Sequence, residues 1–200
     1  MKIILIGASG TLGQAVAAEL GARHEIVRVG KTRGDHQVDM KDADAVRGLF
    51  RAIGTFDALV STAGHVHFGP MAQMTAAEYG IGLADKLMGQ VNLVLIGRDH
   101  IADGGSFTLT SGILSDDPIR NGSSASMVNG AIECFARAAA VELPRGLRIN
   151  VVSPTLLAES VEAYGAYFRG FATVPAARAA LGFAKSVEGA QTGQVYRIYG

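Results

Sequence analysis

Lys2-Ile3-Ile4-Leu5-Ile6 runs directly into Gly7-Ala8-Ser9-Gly10-Thr11-Leu12-Gly13, and this stretch decides the fold. The opening residues have strand length and an almost unbroken apolar run, as in a strand covered on both faces. The run ends at Gly7 with no cleavage site after it, so it reads as a buried strand and not as a leader. Each glycine that follows has a task. Gly7 allows a tight turn, Gly10 lets backbone approach a pyrophosphate with no Cβ in the way, and Gly13 permits close packing of a helix on the sheet. A helix opening here aims its first amides at an anion. A glycine triplet alone can be an ordinary strand-to-helix turn; its place after a first strand favours nucleotide binding. No Gly-Lys-Ser/Thr follows, which excludes a P-loop.

Outward from this stretch, strand-length apolar runs alternate with helical periods. Lys2–Ile6, His24–Val29, Ala58–Ser61, Ser106–Thr110, Arg148–Val152 and Gln194–Ile198 read as strands. Leu12–Leu20 reads as a helix closing on Gly21. Asp42–Ile53 carries Val46, Leu49, Phe50 and Ile53 on one face and closes on Gly54. Thr75-Ala76-Ala77-Glu78 is a capping box, and the Ala-rich segment Ser123–Leu143 stops before Pro144. The alternation predicts an α/β fold: a doubly wound parallel β-sheet of Rossmann type in three αβα layers, one domain over residues 1–200.

Charge and composition narrow the function. Eighteen basic and eighteen acidic residues cancel, so no field of one sign invites nucleic acid or an anionic membrane. No stretch reaches the roughly 18 apolar residues of a membrane span. The lone cysteine, Cys134, excludes an internal disulfide framework, reads as a core residue of its helix, and suits a reducing cytoplasm.

The end of the second strand selects the nucleotide. NAD sites usually hold the ribose hydroxyls with a carboxylate there, whereas this chain has Gly30-Lys31-Thr32-Arg33. Two cations and a hydroxyl suit the 2′-phosphate of NADP(H), which a carboxylate would repel. A methyltransferase would also want an acid here. Asp35 follows closely and leaves NAD open.

Together these motifs resemble the short-chain dehydrogenase/reductase family across essentially the whole chain. The glycine loop looks like that family's in its atypical spacing, Val38-Asp39-Met40 like its adenine segment, and Ser61-Thr62-Ala63-Gly64 like its Asn-Asn-Ala-Gly segment. Arg148 to Pro154 looks like its strand ending in Pro-Gly. The resemblance implies that Ser9, Gly10, Thr11, Leu12 and Gly13 face the pyrophosphate, Asp39 the adenine, Ala63 and Gly64 the ribose, and the backbone from Pro154 to Leu156 the carboxamide. Thr155 stands where the family has glycine.

The family's chemistry uses a Tyr as acid, a Lys four residues later, a Ser on the substrate oxygen and often an Asn. Here Ala125 falls at the Tyr position and Asn129 at the cofactor-facing Lys position, so the ordinary proton transfer has no donor there. Ser111 lies within one residue of the family's serine. Lys86 falls where the family has its Asn, and its ammonium could replace the missing one or serve as the acid. His65 and His67 follow a strand's carboxyl end and are further proton-donor candidates, as are Tyr164 and Tyr167 on the substrate side; packing or solvation is their plainer role. No metal site is expected, because this histidine pair has no third ligand at suitable spacing. The resemblance implies hydride transfer between NADP(H) and a small carbonyl or alcohol, in a homodimer or homotetramer. The alternative is an NADPH-binding sensor or regulator without redox turnover.

Overall fold

The computed structural model describes residues 1–200. The first apolar run forms β1 (Lys2–Ile6), followed by α1 (Thr11–Gly21), β2 (Glu25–Gly30), β3 (His36–Gln37), α2 (Ala43–Ile53) and β4 (Phe56–Ser61). The second half holds α3 (Ala76–Gly82), α4 (Met88–Gly97), β5 (Ile101–Thr110), α5 (Ser123–Glu142), β6 (Arg148–Pro154), α6 (Val161–Tyr164), α7 (Ala176–Glu188) and β7 (Val195–Ile198). All seven strands are parallel, in the order β3-β2-β1-β4-β5-β6-β7. The order reverses between β1 and β4, the switch point beside which open α/β sheets bind their ligands.

Side-chain alternation along the strands builds two cores. Ile3 and Leu5 of β1 face α1 and α7, joining Val16, Leu20 and Phe183. Ile4 and Ile6 face the opposite layer, where Phe50, Leu93, Val128 and Ile132 come from α2, α4 and α5. Each such side chain contributes on the order of 1.5–3 kcal/mol by leaving water. This is the predicted three-layer arrangement.

The expected caps hold at two helices. Asp42 Oδ1 accepts from the Asp44 and Ala45 amides at 2.9 and 3.1 Å, and Gly54 closes α2 at φ 74°. Thr75 and Glu78 form the capping box of α3. Gly21 is a correction: it is the last helical residue of α1, and Ala22 stays right-handed, so no left-handed cap forms. Cys134 is another, lying exposed on α5. The helical period turns its neighbours Ile132, Glu133 and Ala136 inward and leaves Cys134 on the opposite face.

Strand β3 was missed. Its two polar residues carry no apolar period and pair only with Val29 and Gly30 at the sheet edge. Strands β4 and β5 begin earlier than expected, pairing Phe56 with Ile101 before their register shifts between Phe56 and Ala58. Helix α3 passes into α4 through a π-helical turn, Leu83–Leu87, which contains Lys86. Such widened turns often mark functional positions.

Candidate active site

The carboxyl ends of β1, β4, β5 and β6 meet along one edge of the sheet. At the first of them Gly7 turns at φ +84°, and its amide donates to Val29 O at 2.8 Å. A Cβ on Gly7 would lie 2.9 Å from Thr62 Oγ1 and from the Ala63 amide nitrogen. At Gly13 it would lie 2.1 Å from the Gly7 carbonyl, whereas at Gly10 the nearest atom is 3.5 Å away. Gly7 and Gly13 thus make the turn, and Gly10 leaves an open approach. Helix α1 has no side-chain cap and no acid in its first turn, so its first amides are available to an anion. Ser9, Gly10 and Thr11 are exposed there, while Leu12 sends its side chain into the core and offers only its backbone.

Lys31, Thr32 and Arg33 form an exposed loop at the end of β2. Lys31 Nζ lies 2.8 Å from Asp39 Oδ2. This contact holds the Asp39 carboxyl below its usual range, with burial opposing and the Lys41 amide assisting. Asp35 accepts from the Arg28 amide at 2.8 Å, so its carboxylate is engaged in the edge of β2.

A cavity of about 510 Å³ opens between the ends of β4, β5 and β6. It brings together Lys86, Ser111 and Asn129, along with Gly64, Pro154 and Leu156. Lys86 Nζ donates to Asn129 Oδ1 at 2.7 Å and to the Ser111 carbonyl at 3.0 Å. Asn129 Nδ2 donates to the Gly112 carbonyl at 3.2 Å, which fixes its oxygen toward the lysine. No carboxylate bonds to Lys86, and burial alone pushes its pKa down to about 8. The stem of Lys86 crosses Gly64 at φ +144°, where a Cβ would fall 2.5 Å from Lys86 Cγ. Gly64→Ala is therefore expected to displace the ammonium. A crystal structure of the variant should show Nζ moved away from Asn129; an unchanged Lys86–Asn129 contact would mean that the stem's path is immaterial.

Ser111 has a side-chain partner of its own. Its hydroxyl donates to Glu133 Oε1 at 2.9 Å, and Ser115 Oγ lies 2.7 Å from the same oxygen. Glu133 is 3% exposed on α5, one helical turn beyond Asn129, and went unnoticed in the sequence. The signal was an acid on the inward face of an Ala-rich helix. Ala125 presents only a methyl group to the cavity. His65, His67, Tyr164 and Phe168 also line the cavity, while Tyr167 is exposed at 53%.

Comparison with known proteins places this geometry. Residues 3–193 match the family model described as enoyl-(acyl carrier protein) reductase. The lin1944 protein of Listeria innocua is 48% identical and superposes with a TM-score of 0.98 over 100% of both chains. A small-chain dehydrogenase is 26% identical with a TM-score of 0.86, covering 100% of this chain and 96% of its own. Another, in complex with NADPH, shares the fold at 24% identity and a TM-score of 0.89, over 99% and 96% of the two chains. An uncharacterized oxidoreductase of Methylorubrum extorquens is 29% identical over 123 residues, 59% of this chain and 50% of that protein, so the match spans half of its length. Sheet order, glycine turn and family match agree: the chain belongs to the short-chain dehydrogenase/reductase family of oxidoreductases.

Proposed function

We propose that the chain, as a single domain over residues 1–200, is an NADP(H)-dependent oxidoreductase of small carbonyl or alcohol substrates. The observation that supports it most is the Lys86 ammonium in the cavity, bonded to Asn129 at 2.7 Å. The lysine and asparagine that the family resemblance implies have exchanged elements, so a cation still faces the reacting edge.

The residues present fit the cofactor. The glycine turn leaves a cradle at Gly10 that a Cβ would narrow, and the uncapped amides of α1 suit a pyrophosphate. Lys31, Thr32 and Arg33 would hold the 2′-phosphate, Asp39 the adenine, Ala63 and Gly64 the ribose with Asn129 nearby, and the backbone at Pro154 and Leu156 the carboxamide. Lys31 is 65% exposed, so exchanging Asp39 for a phosphate costs little. When bound, the nicotinamide supplies or accepts the hydride. Lys86 hydrogen-bonds the substrate oxygen and gives it a proton in reduction, then regains one from solvent. Asn129 and the Ser111 carbonyl keep the amine aimed. The apolar wall of Ile113, Leu114 and Phe168 excludes water from that oxygen.

Fluorescence titration tests the cofactor assignment. NADPH should bind at least about ten-fold tighter than NADH, about 1.4 kcal/mol, and Lys31→Ala/Arg33→Ala should erase the difference. Preference for NADH would overturn the phosphate site. Ala125, a methyl in place of a proton donor, favours the second reading, an NADPH sensor or regulator without turnover; sustained reduction of any carbonyl would reject it.

Association as a homodimer or homotetramer is part of this proposal. Ile81, Leu83 and Met88 around the π turn, Leu95 on α4 and Met127 on α5 are exposed, and Val141 is 87% exposed. Burying such side chains between copies removes apolar surface from water. Light scattering should return a multiple of the 20.8 kDa chain, and a monomer at working concentration would contradict it.

A further inference from the structure

Glu133 is a buried carboxylate that the proton transfer above does not use. It accepts the Ser111 hydroxyl at 2.9 Å, and the Ser115 hydroxyl lies within reach of both Glu133 Oε1, at 2.7 Å, and the Gly112 carbonyl, at 3.1 Å. A serine hydroxyl has one proton and two lone pairs. With its proton held by Glu133 Oε1, Ser111 has lone pairs left for the cavity it lines. It cannot donate to a carbonyl oxygen there; it can accept from a hydroxyl.

Lys86 has the opposite character. Its ammonium carries three protons and no lone pair, two of them held by Asn129 and the Ser111 carbonyl. The third is free for an acceptor. Nζ lies 3.0 Å from the backbone carbonyl of the same serine, and both residues line one cavity. The cavity therefore offers a donor and an acceptor on two residues in contact, in a lining that also holds Ile113, Leu114 and Phe168.

We infer that the substrate is an α-hydroxy carbonyl compound with an apolar or aromatic tail, its carbonyl oxygen on Lys86 and its neighbouring hydroxyl on Ser111, with Glu133 setting the polarity of Ser111. This rests on the oxidoreductase reading and deepens it. Glu133 is a positioning residue, since it acts only through the serine. In the reaction the carbonyl carbon gains a hydride from NADPH and its oxygen gains the Lys86 proton, giving a vicinal diol and NADP⁺. The second hydroxyl keeps its proton throughout.

The test compares 2-hydroxyacetophenone with its methoxy analogue, which has no proton for Ser111. NADPH oxidation and ligand-observed NMR binding to cofactor-free protein are both measured. The wild type should favour the hydroxy ketone about ten-fold, through KM more than kcat, since a hydrogen bond is gained on one side and two acceptors face each other on the other. Glu133→Met keeps the side-chain length and removes the acceptor of the serine proton, freeing it to turn toward the cavity, so the preference should vanish or invert. Ser111→Ala should abolish it too, and it decides the matter if Glu133→Met fails to fold by circular dichroism. Equal binding of both ketones by the wild type, or an unchanged preference in a folded Glu133→Met, would overturn the inference. Discrimination in NMR binding with no NADPH oxidation would overturn the hydride-transfer reading alone and uphold the polarity of Ser111.

Discussion

Lys86→Met is expected to lower the rate of carbonyl reduction by about 10²- to 10⁴-fold, the usual range for losing a general acid, with NADPH affinity within a few-fold. Methionine keeps the length of the stem that crosses Gly64 and removes the ammonium, so the loss isolates the proton. Burial has pushed Lys86 to a pKa of about 8, and reduction needs its charged form. The wild-type reduction rate should therefore fall as pH rises through about 8, while alcohol oxidation, which needs the free amine, should rise. Stability runs opposite to the reduction rate. The ordinary lysine pKa is about 10.4, so between roughly pH 8 and pH 10 the unfolded chain binds a proton that the folded chain has lost. Stability contributed by this residue then increases with pH, and Lys86→Met removes that increase. Unchanged turnover in Lys86→Met would remove the lysine from the chemistry.

Gly13→Ala is expected to destabilise the fold by about 3 kcal/mol or more. Its Cβ would sit 2.1 Å from the Gly7 carbonyl and 2.9 Å from Ala8 Cα. Both are backbone atoms, and Gly7 is itself held at φ +84° against Thr62 and Ala63, so the turn has nowhere to retreat. For a chain of this size the thermal midpoint should drop by roughly 6–12 °C, with NADPH binding lost. Gly10→Ala provides the contrast. Its nearest neighbour would be 3.5 Å away, so stability should change by only about 1 kcal/mol. NADPH should still bind more weakly, because the new methyl stands in the approach to the α1 amides. Thermal melts and titrations of the pair separate packing from binding: equal destabilisation would mean that the two glycines do not divide the work.

What was legible in the sequence was local. Lys2–Ile6 announces a buried strand by its apolar run, and Gly7, Gly10 and Gly13 announce the turn by their spacing. Asp42, Gly54 and the Thr75–Glu78 box mark helix ends because caps are made within a few residues. The resemblance to the family brought Lys86, Ser111 and Asn129 forward, and they do meet at one cavity. Packing decided the rest. Strand β3 has two polar residues and exists only because β2 offers an edge. The Ser111–Glu133 contact joins residues 22 apart and depends on α5 lying against the end of β5. The π turn that carries Lys86 has no signature in Leu83-Ala84-Asp85-Lys86-Leu87. Asp39, read as an adenine contact, also proves to be the partner of Lys31, a pairing across the β2 and β3 ends.

We propose that a bound nicotinamide turns over here without the family's tyrosine, with Lys86 in the acid's place. The most direct test is NADPH oxidation by the wild type with a panel of small ketones and aldehydes, measured against heat-denatured protein and Lys86→Met. Sustained oxidation that the denatured control and the variant both lack is the predicted result. Tight NADPH binding with no oxidation of any carbonyl would contradict it, leaving a protein that holds the cofactor and does not spend its hydride.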